Sequence, residues 1–198
     1  MAPIKINPSQ HTQHPWRVHA LCADFDLEDV WQVPIVLNEQ HTLAMFIDQF
    51  KKADRELLRK GAAAFLFKFR LQLGKIFGWD APQQPNRAGS IRFRYAQQEG
   101  IALTQLPDAG SGSFIPVYQL ENEFLSEIEN DTVHATLHLS RVPVRDKVWG
   151  VHMAVYVKPK GLFGKAYMML IKPFRLWIVY PAMMRGLAQS WQRTAASL

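Results

Sequence analysis

The sequence predicts an α+β fold in which an antiparallel sheet packs around a long C-terminal helix. Between residues 114 and 157, short runs alternate between apolar and polar residues and are joined by polar connections, as in an antiparallel meander. Between residues 161 and 195 the chain is apolar at helical spacing, and a helix apolar on nearly all sides has to be buried on most of them. The N-terminal half carries helical patterns, so we expect helices to be inserted ahead of the main sheet.

The composition is that of one globular domain. The chain has 198 residues, of which 48% are apolar and 20% charged, enough to bury a sizeable core. Cys22 is the single cysteine, which excludes an intramolecular disulfide and a cluster of thiolate metal ligands. No cleavable apolar segment is present at the N-terminus, so we expect a cytoplasmic protein.

Charge is distributed unevenly along the chain. The net charge is +6, and residues 141–198 contain ten Lys or Arg but one acid. Residues 119–131 contain five acids and no base. Such an asymmetry can steer an anionic ligand or surface toward the C-terminal part.

The sequence of the N-terminal half predicts an arm, an edge strand and two helices. Residues 1–15 are polar and contain three prolines, so we expect a loose arm before a single domain over 16–198. Segment 18–35 closes near Pro34 and suits an edge strand. The apolar spacing over 43–58 predicts a helix that ends or breaks at Gly61. The length and composition of segment 62–79 favour a second helix, although the alternation of residues there also fits a strand. Residues 81–89 form a loop.

Six strands and the final helix complete the predicted order. The strands are expected over 91–95, 100–103, 114–120, 124–128, 133–140 and 148–157. Asn130 and Asp131 predict a tight turn between the fourth and fifth of them. Pro173 and Pro181 lie inside the predicted final helix, and each removes a backbone donor, so we expect the helix to be irregular rather than straight.

Two segments, 130–139 and 155–185, resemble the C-terminal signature of a bacterial family of unknown function in the START-like, polyketide-cyclase (SRPBCC) superfamily. The matching residues are Gly164-x-x-Tyr167, Ile171-x-Pro173-Phe174, Ile178-Val179, a later Met-x-Arg, and more weakly Asp29, Trp31, Val33 and Pro34. The resemblance implies a helix-grip fold, a curved sheet wrapped around the C-terminal helix. Similar members occur alone or behind an NAD(P)-binding dehydrogenase-like domain, but no Gly-x-Gly-x-x-Gly follows a strand here. Arg175 stands where members often carry histidine.

A hydrophobic ligand site is the leading functional hypothesis. It would lie between the inner sheet face and the C-terminal helix and bind chiefly by burying apolar area. The expected lining residues are Phe69, Phe124, Leu137, Met153, Val155, Tyr167, Leu170, Ile171, Phe174 and Arg175. Tyr167 and Arg175 are its polar groups. A filled core at the same place is the alternative.

Histidines and glutamates follow one face of the predicted sheet. His134 and His138 share a strand face, and His152 and Tyr156 share a face of the neighbouring strand. Three histidines are enough for zinc, but the opposite faces are uniformly apolar. Alternation therefore predicts that the histidine face is the outer one, either exposed or used for dimerisation. The glutamates at 121, 123, 127 and 129 are likewise expected to form a solvated strand edge.

Other functions have weaker support in the sequence. No Gly-x-Ser-x-Gly elbow is present, Cys22 lacks a nucleophile motif, and we assign no catalytic residue, metal or cofactor. Lys68, Arg70 and Lys75 are too few for a nucleic-acid surface. The apolar window 166–187 contains three cations and two prolines, which argues against a membrane span and leaves peripheral contact open. A small cyclase-like or hydrolase-like enzyme acting on a hydrophobic substrate is the rival hypothesis.

Overall fold

A six-stranded antiparallel sheet organises the computed structural model, which describes residues 4–57, 86–109 and 114–195. The strands are β1 (Ile4–Lys5), β2 (Asp26–Leu37), β3 (Ile115–Gln119), β4 (Glu123–Glu129), β5 (Val133–Arg145) and β6 (Val148–Pro159). Their order across the sheet is β1-β2-β6-β5-β4-β3. The predicted α+β class with an antiparallel sheet is confirmed. The helix predicted over 62–79, with Gly61 and Phe69, lies outside the described residues.

The helices lie on both sides of this sheet. They are α1 (Ser9–Thr12), α2 (Val18–Leu21), α3 (Leu43–Leu57), α4 (Ile91–Glu99), α5 (Gly161–Phe174) and α6 (Tyr180–Ala195), with a 3₁₀ turn at Leu103–Gln105 and a π-helical segment at Arg175–Val179. The helix predicted over 43–58 and the long C-terminal helix are both confirmed.

The meander from β3 to β6 agrees with the predicted strands. Side-chain and backbone groups of Asn130 close the predicted turn, since Oδ1 accepts from the backbone N–H groups of Thr132 (2.9 Å) and Val133 (3.0 Å). The Asn130 N–H in turn donates to the Val133 carbonyl across 3.0 Å. The turn fixes the register in which Glu129 pairs with His134.

The strand predicted over 91–95 is wrong, because this segment is the helix α4. Ser90 caps its N-terminus by accepting from the Phe93 N–H (3.1 Å), and Gly100 ends it with a left-handed φ of 65°. The predicted strand over 100–103 is also wrong, since the chain there leads into the 3₁₀ turn.

The N-terminal region differs from the predictions in two ways. Segment 18–35 is not one edge strand: it begins with α2, and β2 lies between β1 and β6 in the sheet. Pro34 lies between Val33 and Leu37, where the pairing of β2 with β6 is irregular. A proline is tolerated there because no backbone N–H is required for a regular hydrogen bond between the strands. The arm expected to be loose packs onto the sheet over its described part, with β1 paired to β2 and His11 fully buried.

The inner face of the sheet forms the main core with α3 and α6. Its buried side chains include Phe124, Leu137, Leu139, Val151 and Met153 from the strands, Leu43, Phe46 and Ile47 from α3, and Tyr180, Met184, Leu187 and Trp191 from α6. Of the apolar residues in the predicted C-terminal helix, Leu187 and Trp191 are buried in this core, whereas Phe163, Leu170 and Phe174 are exposed.

The opposite sheet face is also covered, which corrects the prediction of an outer histidine face. A second apolar cluster joins α2 and α4 to the strands through Val18, Leu21, Ile91, Tyr95, Leu125 and Tyr156. His134, His138 and His152 are buried on this face. Alternation identified two distinct faces correctly, but it could not show that the N-terminal elements cover the polar one.

Candidate functional site

An ion-pair cluster lies where the π-helical segment crosses β2. Arg175 Nη2 donates to Asp29 Oδ2 across 2.9 Å and to Glu28 Oε1 across 3.0 Å. Lys172 Nζ lies 3.1 Å from the same Glu28 oxygen. Lys5 Nζ lies 2.6 Å from Asp29 Oδ1, as an ion pair rather than an aligned hydrogen bond. The Asp29 carboxylate is fully buried, so the two cations that neutralise it hold β1, β2 and the C-terminal helix together.

Proline chemistry accounts for the irregular helix at this point. Pro173 lacks an N–H, and its ring crowds the carbonyl four residues earlier. Just beyond it, the Tyr180 N–H donates to the Arg175 carbonyl, a spacing of five residues that defines a π turn. The irregularity expected from the prolines is thus located at Arg175–Val179, and it places Arg175 beside β2.

Two aromatic rings form the apolar side of this cluster. The rings of Trp31 and Tyr180 meet edge to face, with centroids 5.6 Å apart and planes inclined by 70°. The guanidinium carbon of Arg175 lies 5.7 Å from the Tyr180 ring centroid. Burial raises the pKa of Tyr180, more than the Arg175 charge lowers it, so the phenol stays protonated at neutral pH.

Two donors in the cluster have no acceptor among the described residues. Arg175 Nε and Trp31 Nε1 are both buried and make no hydrogen bond there. Both side chains flank the Tyr180 ring. Buried N–H groups in native proteins nearly always have an acceptor, from protein, water or ligand. An oxygen acceptor, from water or from a ligand, would satisfy each of these two donors.

The predicted ligand-site residues fall into distinct groups. Phe124, Leu137 and Met153 belong to the main core, next to Trp31 and Tyr180. Val155 contacts this core and also a smaller cluster under α5 that includes Tyr167 and Ile171. Leu170 and Phe174 are exposed, and Phe69 lies outside the described residues. Arg175 is brought to the sheet by its contacts with Glu28 and Asp29.

Sequence reasoning did not foresee the pairing of Asp29 with Arg175 or the contact of Trp31 with Tyr180. Asp29 and Trp31 share the inner face of β2, two residues apart, and a lone acid among Trp31, Val33 and other core residues was the signal available. A buried acid needs a cationic partner, and Arg175 lies in the segment expected to cross the sheet. The alternation of residues in β2 does not show which cation pairs with Asp29.

A second polar cluster fills the opposite face of the sheet. Glu127 accepts from the N–H groups of Ile91 (2.8 Å) and Arg92 (3.1 Å) at the start of α4, and from His134 Nε2 (2.8 Å). Glu123 lies 3.2 Å from His138 Nε2 and accepts from the Tyr118 hydroxyl across 2.9 Å. The solvated edge predicted for these two glutamates is wrong, because both are buried. Glu127 binds the start of α4, and Glu123 also accepts from the backbone N–H of Arg17 at the start of α2.

The N-terminal arm and α2 each add one imidazole to this second cluster. His11 Nε2 lies 3.1 Å and His19 Nδ1 lies 3.0 Å from the Tyr156 hydroxyl. Burial lowers the pKa of His11 to about 2, with smaller contributions from neighbouring histidines, and lowers the pKa of His152 to about 4. Within the described residues, no group of three or more metal-ligating side chains is arranged to hold an ion. This cluster attaches the arm to the sheet by hydrogen bonds.

A comparison with family models gives a match over most of the chain. A family model described as a protein of unknown function (DUF2867) matches residues 21–182. The chain belongs to the DUF2867 family. The matched region of this DUF2867 protein includes Asp29, Trp31, Arg175 and Tyr180, whereas His11 lies before it. No curated protein and no solved structure gives a significant match.

Among the residues described, none of the helices of this DUF2867 protein is both long and apolar enough to cross a bilayer.

Proposed function

We propose that this DUF2867 protein binds a small hydrophobic molecule between the inner sheet face and the C-terminal helix, in the manner of a START-like, helix-grip carrier. The ligand carries a carbonyl or carboxylate group at one end. The observation that supports this most strongly is the pair of buried donors, Arg175 Nε and Trp31 Nε1, whose side chains both contact the Tyr180 ring. A ligand oxygen would satisfy groups that are otherwise costly to bury.

The apolar end of the ligand would contact side chains of the sheet and the helix. Met153 and Val155 lie on β6, and Tyr167 and Ile171 lie on α5, with Val155 contacting residues of both apolar clusters. Contact with such residues favours binding by about 25 cal/mol per Å² of apolar ligand surface removed from water. Methionine suits a wall that has to adapt to ligand shape, because it is unbranched and polarisable.

Tyr180 fits a binding role better than an acid-base role. Its raised pKa keeps the phenol neutral across the physiological range, so it is not a base. Its ring contacts both Trp31 and Arg175, and a neutral aromatic there supports the apolar end of a bound molecule. The site thus offers donors and apolar surface, which is what a carrier needs.

Titration with a fluorescent fatty acid, dansyl-undecanoate, tests the proposal. Arg175→Lys keeps a cation near Asp29 but removes the Nε donor, so affinity should fall roughly tenfold, the value of one hydrogen bond to a charged group. Arg185→Lys, on the exposed side of α6, is the matched control and should bind as the wild type does. Equal binding by Arg175→Lys and the wild type, or no binding by the wild type, would overturn the proposal.

A further inference from the structure

An exposed apolar stripe follows the outer side of α5 and the π-helical segment. Leu162 is 86% exposed, Leu170 69% and Trp177 78%, and Met169 and Phe174 are exposed as well. Met169 follows Leu162 by seven residues, and Phe174 and Trp177 follow Leu170 by four and seven, spacings that place residues on one helix side. About 22 Å of helix separates Leu162 from Trp177. Isolated exposed apolar residues are ordinary, but a contiguous stripe of this length marks an interaction surface.

Cations border the stripe. Lys165 and Lys172 are seven residues apart on one flank and are both exposed. Residues 161–195 contain three further cations, Arg175, Arg185 and Arg193, and no acid. The two acids that contact this helix from β2, Glu28 and Asp29, are paired with Lys172 and Arg175. The outer surface of the helix therefore combines apolar side chains with positive charge.

We propose that this helix surface docks onto an anionic lipid bilayer, lying in the plane of the interface. A helix with Trp, Phe and Leu on one side and lysine beside them matches the composition of interfacial helices. Tryptophan is favoured at the boundary between headgroups and acyl chains, and each lysine near an anionic surface adds to the attraction.

Charge argues against a second copy of the chain as the partner. An isologous contact through the stripe would bring Lys165 and Lys172 of two copies together. Lys172 is paired with Glu28 of β2, but the helix has no acid to neutralise Lys165. A surface of anionic headgroups instead supplies the opposite charge and accepts the apolar side chains at the same time.

Vesicle co-sedimentation tests the docking surface directly. The wild type should bind vesicles of phosphatidylcholine mixed with phosphatidylserine, bind phosphatidylcholine alone much more weakly, and be released by high salt. Leu170→Ser/Trp177→Ser should weaken binding roughly tenfold or more, since two inserted apolar side chains are lost. Lys165→Glu should weaken it severalfold, by charge reversal. All three positions are exposed, so these variants should fold.

Controls separate docking from other effects. Val144→Ser removes an exposed apolar residue of β5 and should leave vesicle binding unchanged. Arg175→Lys, which alters the proposed ligand site, should also bind vesicles normally, so the two proposals can fail separately. Failure of the wild type to bind phosphatidylserine vesicles would overturn the inference. So would a fall in oligomer mass, measured by light scattering, on replacing Trp177, because the stripe would then be a self-association surface.

Discussion

Arg175 and Asp29, 146 residues apart in the chain, are joined by a 2.9 Å hydrogen bond between guanidinium and carboxylate. The aspartate is fully buried on the inner side of β2, and the arginine is the first residue of the π-helical segment. This contact fixes where the C-terminal helix crosses the sheet. It also brings the Arg175 guanidinium close to the Tyr180 ring, which Trp31 contacts as well.

Replacing Arg175 should destabilise the fold. Arg175→Met leaves Lys5 as the cation beside the buried Asp29 carboxylate among the described residues. We expect a loss of about 3 kcal/mol in the free energy of unfolding, the lower end for breaking a buried ion pair, because Lys5 remains. Arg185→Met, an exposed matched control, should change it by less than about 0.5 kcal/mol. Urea denaturation measures both. The additional change Asp29→Asn should recover part of the loss, and equal stability of the two single variants would refute the role of the pair.

Two glycines of the C-terminal helices should respond oppositely to alanine. A Cβ at Gly164 would clash with the backbone carbonyl oxygen of Thr132, at the turn between β4 and β5. A Cβ at Gly186 meets no atom within 4 Å. We expect Gly164→Ala to lower the midpoint of thermal unfolding, whereas Gly186→Ala should stabilise the protein by up to about 1 kcal/mol through helix propensity. Stabilisation by Gly164→Ala would show that the start of α5 does not approach the turn this closely.

The same leucine-to-alanine change tests which side of the C-terminal helix is buried. Leu187 is 1% exposed in the main core, whereas Leu170 is 69% exposed on α5. Leu187→Ala should cost about 2–5 kcal/mol, because it removes apolar contacts and leaves a cavity. Leu170→Ala should cost less than about 0.5 kcal/mol. Chemical denaturation measures the free energy of unfolding of both variants. Similar losses of this free energy would mean that both sides of the helix are buried.

Acid should destabilise the protein through two buried histidines, His11 in the N-terminal arm and His152 on the sheet. Their unfolded pKa is near 6.5, and burial lowers it to about 4 for His152 and about 2 for His11. The unfolded state then binds more protons below pH 6.5, so this stability is complete above that pH. It is lost progressively as the pH falls, down to about pH 4 for His152 and about pH 2 for His11.

Denaturation midpoints at about pH 7.5 and about pH 5 measure this dependence. His11→Gln should reduce it, because the residue that replaces the buried imidazole does not titrate. His14→Gln, at a half-buried position of the same arm, is the control and should retain most of it. A pH dependence unchanged by His11→Gln would mean that other groups cause it.

Several elements could be predicted from the sequence because their local signals agree. Alternation, turn residues and length coincide in β3 to β6, and apolar spacing coincides with good helix formers in α3. In α4 the signals conflict. Ile91, Phe93 and Tyr95 alternate with arginines as in a strand, but Ser90 and Gly100 are residues typical of helix caps. The segment between them is a helix, as the cap residues indicate.

The candidate site was less predictable because it depends on tertiary packing. Arg175 was expected to be a polar group of the ligand site, but its partner Asp29 lies in a segment expected to be an edge strand. The burial of His138 and Glu123 depends on coverage by the N-terminal elements, whose own sequence has no apolar period over 1–15. Single-chain periodicity shows the two faces of a strand but not what covers each of them.

Native mass spectrometry tests the central proposal most directly. The protein would be purified gently from the cells that express it, and its native mass compared with its denatured mass. The account predicts an excess mass of a small hydrophobic acid or carbonyl compound, released on denaturation and reduced in Arg175→Lys but not in Arg185→Lys. A native mass equal to that of the bare chain, for wild type and both variants, would contradict it and indicate a filled core.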